Sequence, residues 1–239
     1  MTASTLHMAL APEAEVALLC RMLHRQGFNE KHYGHITYAQ DDGTILLNAW
    51  EKPWSETTAS DILRVDKTGS LVSGRWTVTP AIELHLAIHR IRPDVSVAVH
   101  HHPEWGTVWA ALGRIPPIHC QLGAQVGEIT FYDEYEDSVA RPDVAERNVR
   151  ALGSSNAGIL ANHGVLVFGD SPKRAFERSA ALEARCRLAW RVEAVGGGRE
   201  MPAAGAERVL AAVEGNLSGD RYYHAMIRRE ILADPSVLM

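Results

Sequence analysis

Apolar positions along the chain follow two alternating periods. Between Glu13 and Gln26 they fall at Val16, Leu19, Cys20 and Leu23, the i, i+3, i+4, i+7 stripe of an amphipathic helix, which Gly27 ends. The pattern then shortens. His35 to Tyr38 and Thr44 to Trp50 flank an Asp-Asp-Gly turn and read as a hairpin. Ile62 to Asp66 and Ser70 to Val72 bracket the turn Lys67-Thr68-Gly69 in the same way. Thr79-Pro80 predicts a helix start, a capping hydroxyl followed by proline, with the helix running to about Arg92 and stopped by Pro93. Val95 to His102 is β-rich up to Pro103. A helix over Glu104 to Leu112 ends at Gly113, and Arg114-Ile115-Pro116-Pro117 is a rigid connector. Gly127 to Tyr132, Gly158 to Ala161 and Val165 to Phe168 read as strands. Ser171-Pro172 opens a long helix that Gly196-Gly197-Gly198 stops.

Helices around many short strands, mostly joined by tight turns, predict a three-layer α/β/α domain on a mostly antiparallel or mixed sheet. Its expected extent is residues 1–198, followed by a C-terminal helical tail, 199–239, packing on the same domain or on a neighbouring subunit. Composition narrows the class. The chain has 239 residues, 46% hydrophobic and 22% charged, which suits one folded domain and not a disordered chain. A net charge of −5 argues against nucleic acid as a partner, and no apolar run has membrane-spanning length. Met1 to Ala11 lacks a basic cluster followed by an apolar core. Cys20, Cys120 and Cys186 are odd in number with no C-x-x-C pair, so a cytoplasmic protein with reduced thiols is expected.

Twelve histidines carry the candidate chemistry. In Val97-Ala98-Val99-His100-His101-His102-Pro103, strand alternation puts His100 and His102 on one face and His101 on the other. Two imidazoles side by side at a strand end form a natural pair of metal ligands. Asn162-His163-Gly164 supplies a third histidine at a turn where glycine lets the backbone bend. Three neutral imidazoles around a divalent ion leave coordination positions open for a reactant. On these residues alone the ordinary alternative stays open, a polar strand end beside a hydrogen-bonded turn histidine.

Order and context add to this. The run Gly34-His35-Ile36-Thr37, Thr58 to Asp66, His85 to Val95, Ala98 to Pro103, Leu160 to Gly164 and the helix opened by Ser171-Pro172 resembles the class II aldolase/adducin head-domain family over about residues 13–195. The resemblance implies an α/β/α fold, a tetramer with the active site near subunit interfaces, and metal ligation by His100, His102 and His163. It departs from the sugar-phosphate members twice. Their glutamate, one helical turn before the histidine matched by His85, is Ala81 here, and Glu83 is rotated roughly 200° away on a helix. Their phosphate-binding Gly-Asn-hydroxyl loop is replaced by Tyr33-Gly34-His35-Ile36-Thr37, which disfavours a phosphorylated sugar.

A missing glutamate suits decarboxylation, in which loss of CO2 itself generates the carbanion. The expected activity is a metal-dependent carbon–carbon lyase acting on a hydroxylated aromatic or heteroaromatic (di)carboxylic acid. The alternatives are an aldolase or retro-aldolase on a non-phosphorylated hydroxy-carbonyl compound, a non-haem iron oxygenase, and a non-catalytic adducin-like assembly module. Candidate acid/base residues are His35, Glu83 and Tyr222; candidate substrate contacts are Arg75, Tyr223 and His224. Trp50, Trp54, Trp76, Trp105 and Trp109 are candidate walls of an aromatic pocket. One divalent ion per subunit is expected, Zn2+ or Mn2+, with Fe2+ or Co2+ also suited to imidazole. The expected partners are a small anionic substrate and further copies of the chain, a homotetramer by the resemblance.

Overall fold

A computed structural model describes residues 10–28, 33–133, 141–215 and 220–239, so His7, His32 and Met1 to Ala9 lie outside the described residues. The helices are α1 Pro12–Arg25, α2 Ile82–Ile91, α3 Glu104–Leu112, α4 Gln121–Ala124, α5 Pro142–Leu152, α6 Pro172–Ala194, α7 Ala203–Glu214 and α8 Arg221–Ala233. The strands are β1 His35–Ala39, β2 Ile45–Leu47, β3 Leu63–Val65, β4 Leu71–Ser73, β5 Val97–His101, β6 Ile129–Tyr132, β7 Ala157–Leu160 and β8 Gly164–Gly169. They form one sheet in the order β4-β3-β2-β1-β5-β8-β7-β6.

Both predicted hairpins form, β1 with β2 and β3 with β4, and every pair is antiparallel except β6 with β7. Parallel neighbours need a crossover, and α5 supplies it. That helix was not among the predicted elements, although Val144, Ala145, Asn148, Val149 and Leu152 line its buried face. The start of α2 also differs from expectation. Thr79 and Pro80 belong to a turn in which Ile82 N–H donates to Thr79 O at 3.2 Å, and the Thr79 hydroxyl is paired with His35 at 2.7 Å.

Alternation along β5 divides the interior. Val97 and Val99 join the core beneath α1 and α6, with Leu18, Leu19, Phe176 and Leu182. Ala98 faces the opposite layer and packs with Leu84, Ala87 and Ile88 of α2 and Ala145 and Val149 of α5. The result is helices on both faces of a mixed sheet, the three-layer arrangement expected. On the α1 side, Arg25 of α1 pairs with the buried Glu230 of α8, and Tyr223, Met226 and Ile227 of α8 enter the core. The first residues of α3 are held by Glu183 of α6, whose carboxylate accepts from the N–H groups of Trp105 and Gly106, both at 2.9 Å. No helix among the described residues is long and apolar enough to cross a membrane.

Candidate metal centre

Register brings the histidines together. His35 of β1 lies directly opposite His100 of β5, and their rings stack at 6.2 Å with 16° between planes. His100 shares its face with Ala98, towards α2, whereas His101 turns into the α1 layer with its ring edge-on to Phe28 at 4.8 Å. His102 follows the last residue of β5 as the chain leaves the sheet at Pro103. The third member comes from the β7–β8 turn. There Asn162 adopts a left-handed φ of 53°, and His163 N–H donates to Leu160 O at 3.1 Å.

Gly164 permits this approach. A Cβ at that position would lie 2.6 Å from the carbonyl oxygen of His101 and 2.7 Å from the His102 ring. Ring centroids of His100, His102 and His163 are 4.8, 4.9 and 5.0 Å apart, and one ring nitrogen from each falls within 4.8 Å of the other two. His100 places Nδ1 3.0 Å from Val165 O. A carbonyl only accepts, so in the neutral ring Nδ1 carries the proton and Nε2 keeps its lone pair. Burial, then the neighbouring imidazoles, hold the pKa of His100 well below its ordinary value. The donor set is all-nitrogen, with His100 held neutral, and suits a divalent ion of the zinc, manganese, iron or cobalt kind.

Beneath the cluster lies a second set of side chains that sequence patterns ranked only as neighbours of the site. His85 is fully buried, and its Nδ1 is 2.7 Å from the Thr37 hydroxyl. The same hydroxyl is 2.8 Å from His89 Nε2. Thr37 sits two residues along β1 from His35, and this alternation was the available signal for it. Thr79 was legible as a cap but not as the partner of His35.

The other candidates are placed elsewhere. Arg75 is exposed and donates to the buried carboxylate of Asp61 at 2.9 Å, with its guanidinium over the Trp76 ring. Glu83 is half-buried on the first turn of α2. Tyr222, Tyr223 and His224 lie on α8, in the α1 layer across the sheet from His100. Tyr222 is exposed and stacks on Phe176. Tyr223 is buried, which pushes its phenol pKa up, and His224 is half-buried beside it. Within one chain none of these three reaches the cluster. The tryptophans do not share one wall: Trp54 and Trp109 belong to the main core, Trp105 pairs with Trp190, and Trp76 donates to Asp61. All three cysteines are free thiols.

Comparison with known proteins agrees with this architecture. The sequence profile of the Class II Aldolase and Adducin N-terminal domain matches residues 14–190. Decarboxylase NovR of Streptomyces niveus is 27% identical over 227 residues, 92% of this chain and 84% of the relative. A 4-hydroxy-3-prenylphenylpyruvate oxygenase/4-hydroxy-3-prenylbenzoate synthase of Streptomyces roseochromogenus subsp. oscitans is 27% identical over 92% of this chain and 82% of its own. A crystal structure of an aldolase II superfamily protein from Pseudomonas syringae superposes with a TM-score of 0.83 at 24% identity, covering 97% of this chain and 98% of the other.

Proposed function

The chain belongs to the class II aldolase and adducin N-terminal domain family, and we propose that it is a metal-dependent carbon–carbon lyase that decarboxylates a hydroxylated aromatic or heteroaromatic acid. The observation that carries this reading is the donor set: among the described residues three imidazoles come together with no carboxylate, and Ala81 stands where the sugar-phosphate members of the family have glutamate. Of two relatives that align over about nine-tenths of the chain, one is named a decarboxylase, which favours this chemistry, and the other is named an oxygenase and synthase of prenylated aromatic acids, which favours an aromatic acid as substrate.

His100, His102 and His163 would hold one divalent ion, whose charge, uncompensated by neutral ligands, would bind a carboxylate with its adjacent hydroxyl and draw off electron density. In the reaction the bond from ring carbon to carboxylate breaks, CO2 leaves, and the electron pair stays on carbon until a proton arrives. His35 would manage that proton, and its stacking on His100 and 2.7 Å pairing with Thr79 support this role. Tyr222 and His224 could take part only from a neighbouring copy of the chain, because α8 lies across the sheet. An oligomer, a tetramer in the family pattern, is part of the proposal.

Retro-aldol cleavage is the second reading, favoured by the family itself. The two separate on their products. Zinc-loaded or manganese-loaded protein is offered a panel of dihydroxyphthalate-type acids and a panel of non-phosphorylated aldols. CO2 release from the former is expected, and aldehyde from the latter without CO2 would reverse the assignment. His100→Ala is expected to lose most bound metal, read by elemental analysis, and activity with it. Retention of both would remove the histidine cluster from the mechanism.

A further inference from the structure

At the end of the sheet away from the histidine cluster, two turns and one face of α2 enclose a separate cavity. β1 and β3 are each antiparallel to β2 and so run the same way, which brings the turn after Ala39 and the turn after Val65 to one end of the sheet. From His35 to Ala39 the strand travels about 13 Å, so this end is well removed from His100, which lies opposite His35. Ala39 faces Ile45 across the hairpin, and Ile45 packs with Val65 and with Leu86 of α2. Leu86, His89 and Arg90 fall at i, i+3 and i+4 and share one side of that helix. The space between these elements measures about 310 Å³, at the lower end of small-molecule sites.

Its inner wall is apolar and its rim cationic. Ile45 and Leu86 are buried, whereas Lys67 and Arg90 are exposed, and all four line the cavity. His89 adds a neutral ring: Nδ1 lies 3.2 Å from Val95 O, Nε2 lies 2.8 Å from the Thr37 hydroxyl, and desolvation holds its pKa at about 4. The stem of Lys67 lies across Gly43, where a Cβ would come 2.8 Å from its Cε and 3.3 Å from its Nζ, so glycine there gives the lysine its path along the rim. Among the described residues no carboxylate pairs with Lys67. Asp42 accepts from Thr44 and Arg64, and Asp66 from Thr68 and Ser70. Arg90 gives one N–H to Glu146 at 2.6 Å and has others left to donate.

We infer that this cavity binds a compact organic monoanion, a carboxylate on an aromatic or branched apolar body, with the body against Ile45 and Leu86 and the carboxylate between Lys67 and Arg90. Both cations then make charge-assisted hydrogen bonds to the same group. Inorganic phosphate would leave the apolar wall uncovered, and an amine of the same shape would meet two like charges. The site is distinct from the three-histidine centre and does not depend on the proposed lyase activity.

The test follows a benzoate titration of the zinc-loaded, full-length protein by the methyl signals of its alanine, isoleucine and leucine residues. Benzoate is expected to move the Ala39, Ile45 and Leu86 methyls together. Stripping the zinc with chelator removes the competing position for a carboxylate at the three histidines and should leave these movements unchanged; their disappearance would overturn the inference. Benzylamine and inorganic phosphate should each bind about ten-fold more weakly than benzoate or worse. Lys67→Met should weaken benzoate by about ten-fold and Lys67→Arg recover most of the loss; the residue is exposed, so both variants keep the fold. Three further results overturn it: methyls that do not move, as when another copy of the chain covers the cavity; equal affinity for phosphate or benzylamine; or unchanged affinity in Lys67→Met. Failure of every acid to release CO2 would remove the proposed reaction and leave benzoate binding here as it stands.

Discussion

Asp61 shows how a residue from the family-like stretch Thr58 to Asp66 works by holding neighbours in place. Its side chain is fully buried, and its carboxylate accepts from Lys52 at 2.7 Å, the Thr58 N–H at 3.0 Å, the Thr58 hydroxyl at 2.8 Å, and Arg75 and Trp76, both at 2.9 Å. Burial by itself raises a carboxyl pKa; here the converging donors outweigh it and hold Asp61 well below the usual carboxylate range. Arg75, a candidate substrate contact from the sequence, is thereby engaged in a pair with Asp61 within the chain. Asp61→Asn keeps the shape but removes the charge that two cations share, and should cost about 3 kcal/mol in urea unfolding at pH 7. A loss under about 0.5 kcal/mol would show that the network contributes nothing net. Because the folded pKa is depressed, this stabilisation is present above the ordinary carboxylate pKa of about 4 and is lost as pH falls below it.

At the scale of elements, the site depends on one crossing that a side chain would block. β8 begins at Gly164 hard against the backbone of His101 and the ring of His102, and this contact sets His163 beside the other two imidazoles. Gly164→Ala forces a Cβ into space 2.6 Å from a backbone oxygen, so the β7–β8 turn must shift. The expected outcome is at least a ten-fold weaker zinc affinity, by competition with a chromophoric chelator, in a protein that still folds; unchanged affinity would mean that the turn tolerates the shift without moving His163. The residue types at this crossing were legible because strand alternation and Asn-His-Gly are local patterns. The hairpins, α3 and α6 were legible for the same reason, each carrying its own turn or cap. What was not legible depends on distant partners. The crossover helix α5 was passed over despite its amphipathic face, which left the parallel β6–β7 pair unforeseen. Thr37 takes its meaning only from His85 and His89 of α2, some fifty positions on, and Thr79 from His35.

For the whole molecule, the histidines link fold and acidity. His85 is buried and His89 half-buried, and both are neutral in the fold, with pKa values held well below the ordinary one and at about 4 respectively, mainly by desolvation. In the unfolded chain both return to about 6.5. Between these limits the unfolded state binds protons that the fold does not, so stability drops as pH falls, by about 1.4 kcal/mol per unit for each such histidine. Neither residue belongs to the proposed metal-binding set, so their contribution persists when metal is removed. Urea unfolding at pH 7.5 and 5.5, both in excess chelator, should therefore show a loss of at least about 2–3 kcal/mol at the lower pH, to which the buried His101, held at about 3, adds in the same direction. Asp61 adds nothing to this interval, since its stabilisation is intact down to about pH 4. Equal stability at the two values would mean that His85 and His89 are protonated in the fold.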